Sequence, residues 1–320
     1  MIALLNPDKF RMRVPGALRF VDASNLADID SGLEVAMVVP DQPHIGEALS
    51  PAGGGRWIPR RLTGVAAILP PLALRTIADR EPVDPTTIGQ FPDEWTGSER
   101  DYEVRVSDPR GRFLPARFTY SMPDPAQTHW DVWGNPPQPR IRSLLKEGQS
   151  DADYIPLFNR TGRTYDVPVA RVAANLAIRL PDGRDRPAGW ALLRIRSGNT
   201  TVGLGLADEN GNVEVAFPYP ELPTLTPAEA ANGRESVTWT IRISVHFDDL
   251  SGTTAPDGSL LPPDFTTILG QLHGTATRAL RRLGQPQALP NPELTLGERL
   301  ILRTEDTDNT PLSSLYLEAS

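Results

Sequence analysis

Residues 176–220 contain four short runs, at 176–180, 190–196, 202–206 and 213–217, in which apolar positions cluster or alternate with polar ones. Pro181-Asp182-Gly183, Arg186-Pro187-Ala188-Gly189, Ser197-Gly198-Asn199 and Asp208-Glu209-Asn210-Gly211 separate or close them. Short runs with this punctuation predict antiparallel strands. The Asn210-Gly211 pair is the sharpest turn signal, because a two-residue hairpin needs positive φ at both central positions and these residues accept it. Residues 17–21, 33–39, 102–107 and 112–120 repeat the pattern, and Asp108-Pro109-Arg110-Gly111 predicts a hairpin between the last two. At 237–247 the alternation is clean. Val237, Trp239, Ile241, Ile243, Val245 and Phe247 form a core face, and Thr238, Thr240, Arg242, Ser244 and His246 form a face expected to meet water. Residues 62–74, 294–304 and 315–318 predict further strands.

One stretch changes period. Phe265, Ile268, Leu269, Leu272, Ala276, Ala279, Leu280 and Leu283 recur every three or four positions, predicting an amphipathic helix over 264–283 with Asp264 as its N-cap. Gly270 and Gly274 each weaken it by roughly 1 kcal/mol against Ala, so it depends on packing.

Composition fits this reading. With 33 Pro and 26 Gly in 320 residues, loops and strands must outweigh helix. The chain is long enough for two domains. The predicted fold class is mainly β: two tandem antiparallel β-sandwich domains, at 1–121 and 171–320, with long Pro-rich loops and one amphipathic helix. Between them, 122–170 reads as a Pro- and aromatic-rich connection. Trp130, Trp133, Tyr154, Phe158 and Tyr165 are too many rings for a free linker; they are expected to pack it onto its neighbours and are the candidates for partner contact. The two halves also share a pattern, since residues 18–38 and the turn at Asp108 parallel residues 176–196 and the turn at Asp208.

The formal charge of -8 argues against a nucleic-acid surface, which needs a basic footprint. Without Cys there is no disulfide, thiolate nucleophile or cysteine-bound metal. Asn6, Pro7 and Asp8 interrupt the apolar start too early for a signal-peptide core, and no run approaches the ~20 apolar residues of a membrane span, so synthesis in the cytoplasm is expected. The chemical inventory is thin. His44, His129, His246 and His273 lie far apart, and neither a Gly-x-Ser-x-Gly elbow nor a phosphate loop is present. Gly53-Gly54-Gly55 is followed by Arg-Trp-Ile-Pro rather than Lys-Ser, which predicts a surface loop. Asp208, Asn210 and Gly211 share the opening of a calcium loop but lack its closing residue, so a β-turn explains them. No enzyme, cofactor or metal is expected.

The strand, the turn PDGRDRPAGWALLRI and the hairpin GLADENGNVEVAFP within 176–217 resemble transthyretin-like or carboxypeptidase-regulatory β-sandwiches, which are usually structural or adhesive. Over most of the chain the order ALRFVDA, SGLEVAM, VRVSDPRGRFLPARF, WALLRI, GLADENGNVEVAFPYPE, VTWTIRISVHF, PDFTTILGQL and LTLGERLILRT resembles a family of β-sandwich proteins associated with phage-tail-like contractile injection systems. That resemblance implies a structural component such as a baseplate, cap or decorating subunit. Its partners would be other subunits of a large symmetric assembly holding several copies, released or membrane-attached after assembly. The alternative is a stand-alone carbohydrate- or surface-binding module using Trp130, Trp133 and the Gly53–Gly55 loop.

Overall fold

A computed structural model describes residues 17–40, 42–59, 100–122, 154–180, 182–220, 237–254, 260–283 and 285–318. The fold is mainly β, with several sheets and one short helix among these residues. The strand expected at 62–74 and the greater part of the 122–170 connection lie outside the described residues.

The first sheet has seven strands in the order β6-β5-β2-β3-β4-β1-β7. These are β1 (Leu18–Asp22), β2 (Glu34–Val39), β3 (Gln42–Gly53), β4 (Arg56–Pro59), β5 (Arg100–Ser107), β6 (Ala116–Met122) and β7 (Ile155–Leu157). All neighbours are antiparallel except β1 and β7. β3 serves two partners: Gly46, Glu47 and Ala48 pair with β2, while Leu49 to Gly53 pair with β4. Phe20, Val35, Met37, Trp57, Val104 and Phe118 fill a first hydrophobic cluster against it.

Glycine chemistry makes a two-residue hairpin where a loop was expected, beside the expected one at Gly198-Asn199. Gly53 pairs with Arg56, leaving Gly54 (φ 60°) and Gly55 (φ 69°) as the two-residue turn between β3 and β4. The glycine run is therefore an ordered hairpin whose Gly55 amide donates to Asp30 Oδ1 at 2.6 Å. At Asn210-Gly211, by contrast, only Gly211 has positive φ, and the strands it joins lie in different sheets. A side chain on Gly211 would collide with the Leu176 carbonyl, so the residue serves the close approach of turn to strand.

In the second half, β8 (Ala170–Arg179), β9 (Asp185–Pro187), β10 (Leu192–Ser197), β11 (Thr200–Leu206), β12 (Asn212–Phe217), β13 (Thr238–Thr240), β14 (Arg242–His246), β15 (Thr253–Thr254) and β16 (Leu260–Leu261) precede helix α1 (Phe265–Gly270). β17 (Leu280–Arg282), β18 (Gln285–Ala288), β19 (Glu293–Thr295), β20 (Arg299–Leu302) and β21 (Leu315–Leu317) follow it. A middle sheet, β11-β10-β14, faces an outer sheet, β12-β8-β20, with β9 and β21 also paired to β8. Val172, Leu176, Leu193, Ile195, Val215, Phe217, Ile241 and Val245 fill the second cluster between them.

The middle sheet is buried on both sides. Leu193 and Ile195 enter the second cluster, while Trp190, Leu192, Leu204 and Leu206 enter the first together with Phe265, Ile268 and Leu269 of α1. That explains the unbroken apolar run Trp190-Ala191-Leu192-Leu193, as a strand buried on both faces has no polar side to show. It also corrects the reading of His246. The core face at 237–247 is as expected, but His246 is only 2% exposed, because its strand's other face is covered here.

The expected helix at 264–283 is a second correction. Asp264 does cap it, accepting from the Thr266 amide at 2.9 Å, but α1 ends at Gly270 and a single 3-10 turn, Gln271–His273, follows. Beyond Gly274 the Thr277 amide is taken by the Val245 carbonyl at 2.7 Å, and β17 turns back as a hairpin with β18. Two glycines within five residues cut the helix, and the edge of β14 offers the Thr277 amide a partner instead.

Candidate functional site

The two halves meet along a seam, and the described residues concentrate their unusual chemistry there and on the outer sheet. At one end of the seam is an alcove of about 580 Å³ on the first sheet. Its floor follows from register: Arg117, Arg105, Ala36 and Ala48 lie opposite one another in a row across β6, β5, β2 and β3. The two alanines leave a hollow that Leu261 and Pro262 of the second half wall in. Arg105 and Arg117 share Glu103, at 2.6 Å and 3.7 Å, and Arg117 Nη1 also donates to Thr253 Oγ1 at 2.8 Å. Glu34 closes the rim and accepts from the Ser107 hydroxyl at 3.3 Å.

Farther along, α1 acts as a bolt. Phe265 packs on Phe158 with ring centroids 5.8 Å apart, and Ile268 and Leu269 reach the middle sheet's residues in the same cluster. Gln271, 3% exposed, fastens its end: Nε2 donates to the carbonyls of Trp190 at 2.9 Å and Ile268 at 3.1 Å, and Oε1 accepts from the Asp248 amide at 2.8 Å. Trp190 is held at φ 64°, a left-handed conformation that costs a bulky residue about 1–3 kcal/mol. Beside this staple lies His246, opposite Leu192 in register. Neither ring nitrogen has a hydrogen-bond partner among the described residues. Burial, reinforced by the nearby Arg194 charge, holds its pKa below the ordinary value; the Gln271 main chain and Asp248 oppose this only in part.

The outer sheet carries the opposite case. Alternation sends Val213 and Val215 into the second cluster and Glu214 to the other face, where its side chain has no solvent exposure. Arg171 donates to its Oε1 through Nε at 2.9 Å and Nη2 at 2.7 Å, and Arg299 Nη2 donates to Oε2 at 2.7 Å. Arg163 bonds Asp22 at 2.6 Å, donates to Asn159 and lies over the rings of Phe113 and Tyr165. Burial pushes the Tyr165 hydroxyl up to about 12; Asp22 and Glu214 add to the rise, while Arg163 and Arg171 work against it.

Of the five aromatic candidates, Trp130 and Trp133 lie outside the described residues. Tyr154 and Phe158 are buried, 6% and 2% exposed, and Tyr165 is half-buried beneath Arg163. Phe158 belongs to the first cluster, where the Leu114 amide donates to its carbonyl at 2.9 Å. His246, Gln271 and Glu214 escaped the sequence reading. The signal for the first two was the doubly apolar strand at 190–193, which requires a cover on each face; Glu214 carried none, because a single Glu in an alternating strand reads as solvated.

Among the described residues no three His, Asp or Glu side chains converge as a metal site would need, and no helix is long and apolar enough to cross a membrane. Comparison of the chain with protein-family models, with curated proteins and with solved structures found no match.

Proposed function

We propose that the chain is built as two β-sandwich modules in tandem and serves as a non-enzymatic structural subunit of a phage-tail-like contractile injection particle. It would occupy symmetric positions in several copies, as a baseplate, cap or decorating subunit, and act through protein–protein contacts. The observation that supports an interaction role is an exposed apolar side chain, Ile301, on a strand with an open edge. Val167, Leu296 and Ile301 are the only large exposed hydrophobics among the described residues. Ile301 pairs with Ala173 on β20, an outer strand whose other edge has no partner among the described strands; Leu296 lies in the preceding turn, and Val167 just before β8. An open edge carrying apolar side chains is what a neighbouring subunit can extend or cover.

The test is fractionation of particles assembled in cells that carry this chain. The expected result is co-sedimentation with large particles, reduced several-fold by Ile301→Asp without loss of folding. A clean monomer in a strain that holds assembled particles overturns the reading.

A further inference from the structure

His246 is a titratable group that the proposed role does not use, placed where the fold is fastened. α1 contributes Phe265, Ile268 and Leu269 to a cluster that also holds residues of the first sheet and of the middle sheet, so it is one of the elements packed where they meet. Its end is fixed by the Gln271 amide, committed to Trp190, Ile268 and Asp248. The neutral ring of His246 tolerates this setting. An imidazolium needs an acceptor at each nitrogen; neither nitrogen makes a hydrogen bond of ordinary geometry, and the Gln271 main chain is the one acceptor near enough to favour the charged ring.

The groups around the ring do not remove the difficulty. Arg194, on the neighbouring strand β10, repels a second positive charge, while Asp248, at the exit of β14, favours it. From the 3-10 turn the Gln271 main chain can answer one nitrogen at most. α1 itself presents no charged residue, Asp249 is committed to Arg186 at 2.7 Å, and His273 is exposed at the far end of the turn. A proton on the buried ring is accommodated most readily by moving the turn that covers it.

We propose that His246 is an acid trigger: its protonation releases α1 and the Gln271 turn from the seam and uncouples the two sheet systems, leaving the second cluster intact. Release also frees Trp190 from its left-handed conformation, since the Gln271 amide holds its carbonyl.

Hydrogen–deuterium exchange of the full chain at pH 7.5 and 5.5, corrected for the intrinsic rate, tests this. With an open-state ring titrating at its ordinary 6.5, the opening equilibrium rises by up to about ten-fold over that interval. Exchange over 265–273 should accelerate by that factor, while β8 and β12 stay protected. His246→Leu and His246→Gln should both abolish the acceleration. An unchanged wild-type profile, an equal rise in β8 and β12, or the same acid response in either folded variant overturns the proposal. If neither variant folds, nuclear magnetic resonance titration of the wild-type ring decides. A ring that titrates at its ordinary value with 265–273 still protected rejects the trigger, and protonation together with loss of that protection supports it.

Discussion

Glu214 and His246 stand on facing sheets of the second half, one on β12 and one on β14, and both are withdrawn from water. Glu214 has three charge-assisted hydrogen bonds from two guanidinium groups, whereas neither ring nitrogen of His246 makes a hydrogen bond of ordinary geometry among the described residues. The difference shows that burial alone does not decide what a titratable group does to a fold. An answered charge ties three strands of the outer sheet together. An unanswered neutral ring already carries the cost of a buried polar group without a partner, and charging it adds a far larger one that works against the packing that hides it.

The largest effect should come from breaking the answered site. Glu214→Ala leaves two guanidinium groups without their anion, and breaking a buried pair costs about 3–5 kcal/mol. Because the Arg171 and Arg299 side chains are 33% and 43% exposed and can turn to water, the lower end is expected. Urea unfolding monitored by circular dichroism measures it, and a loss below ~1 kcal/mol would show that the network ties nothing. Gln271→Ala comes next. It strips a partner from the carbonyls of Trp190 and Ile268 and from the Asp248 amide, a loss of about 2 kcal/mol, with a shift in tryptophan emission as the seam loosens.

Sequence pattern captured the part of this arrangement that is periodic. The strands at 102–107, 190–196 and 213–217 form close to their expected places, the first because alternation reports a half-buried strand and the others because a run of apolar residues reports one buried on both faces. The strand expected at 176–180 is the end of a longer β8 that begins at Ala170. It missed what depends on a second layer. His246 reads as solvated only if its face of β14 is open, and nothing within 237–247 states that the Gln271 turn lies against it. The helix was overextended for a related reason: Ala276, Ala279 and Leu280 keep the helical spacing, yet the amide of Thr277 finds its carbonyl on β14, a partner distant in sequence. The turns show the limit most plainly. Asp108 and Asp208 organise the same hydrogen-bond scheme, each carboxylate accepting from the amides two and four residues on, ahead of a left-handed glycine. The first sits between paired strands and the second crosses between sheets, so local chemistry specifies a turn but not what it joins.

Acid separates the unanswered ring from the answered carboxylates. His246 has a folded pKa below its unfolded value near 6.5, so the folded state binds less proton there. Stability falls as pH drops below about 6.5 and levels off once the pH is under the folded pKa. The expected loss by pH 5.5 is up to about 1.4 kcal/mol, the equivalent of a ten-fold shift, and His246→Leu should remove it.

The smallest effect belongs to Asp108, which tests the comparison in a different pH window. Burial would raise the pKa of its carboxyl, but hydrogen bonds from the Arg112 side chain and from the Arg112 and Arg110 amides outweigh burial and hold it below the ordinary 3.8. A depressed carboxylate stabilises the fold above its unfolded pKa, and that contribution is lost as pH falls below about 4 through the folded value. Asp108→Asn keeps one acceptor and gives up the ionic bond at 2.9 Å to Arg112, a loss of about 1 kcal/mol near neutrality. Thermal melts should therefore show two acid phases in the wild type, one between pH 6.5 and 5.5 that vanishes with His246→Leu and one below pH 4 that shrinks with Asp108→Asn. If Asp108→Asn instead alters the upper phase, the turn and the seam are coupled, and the contrast between answered and unanswered groups is not a local one.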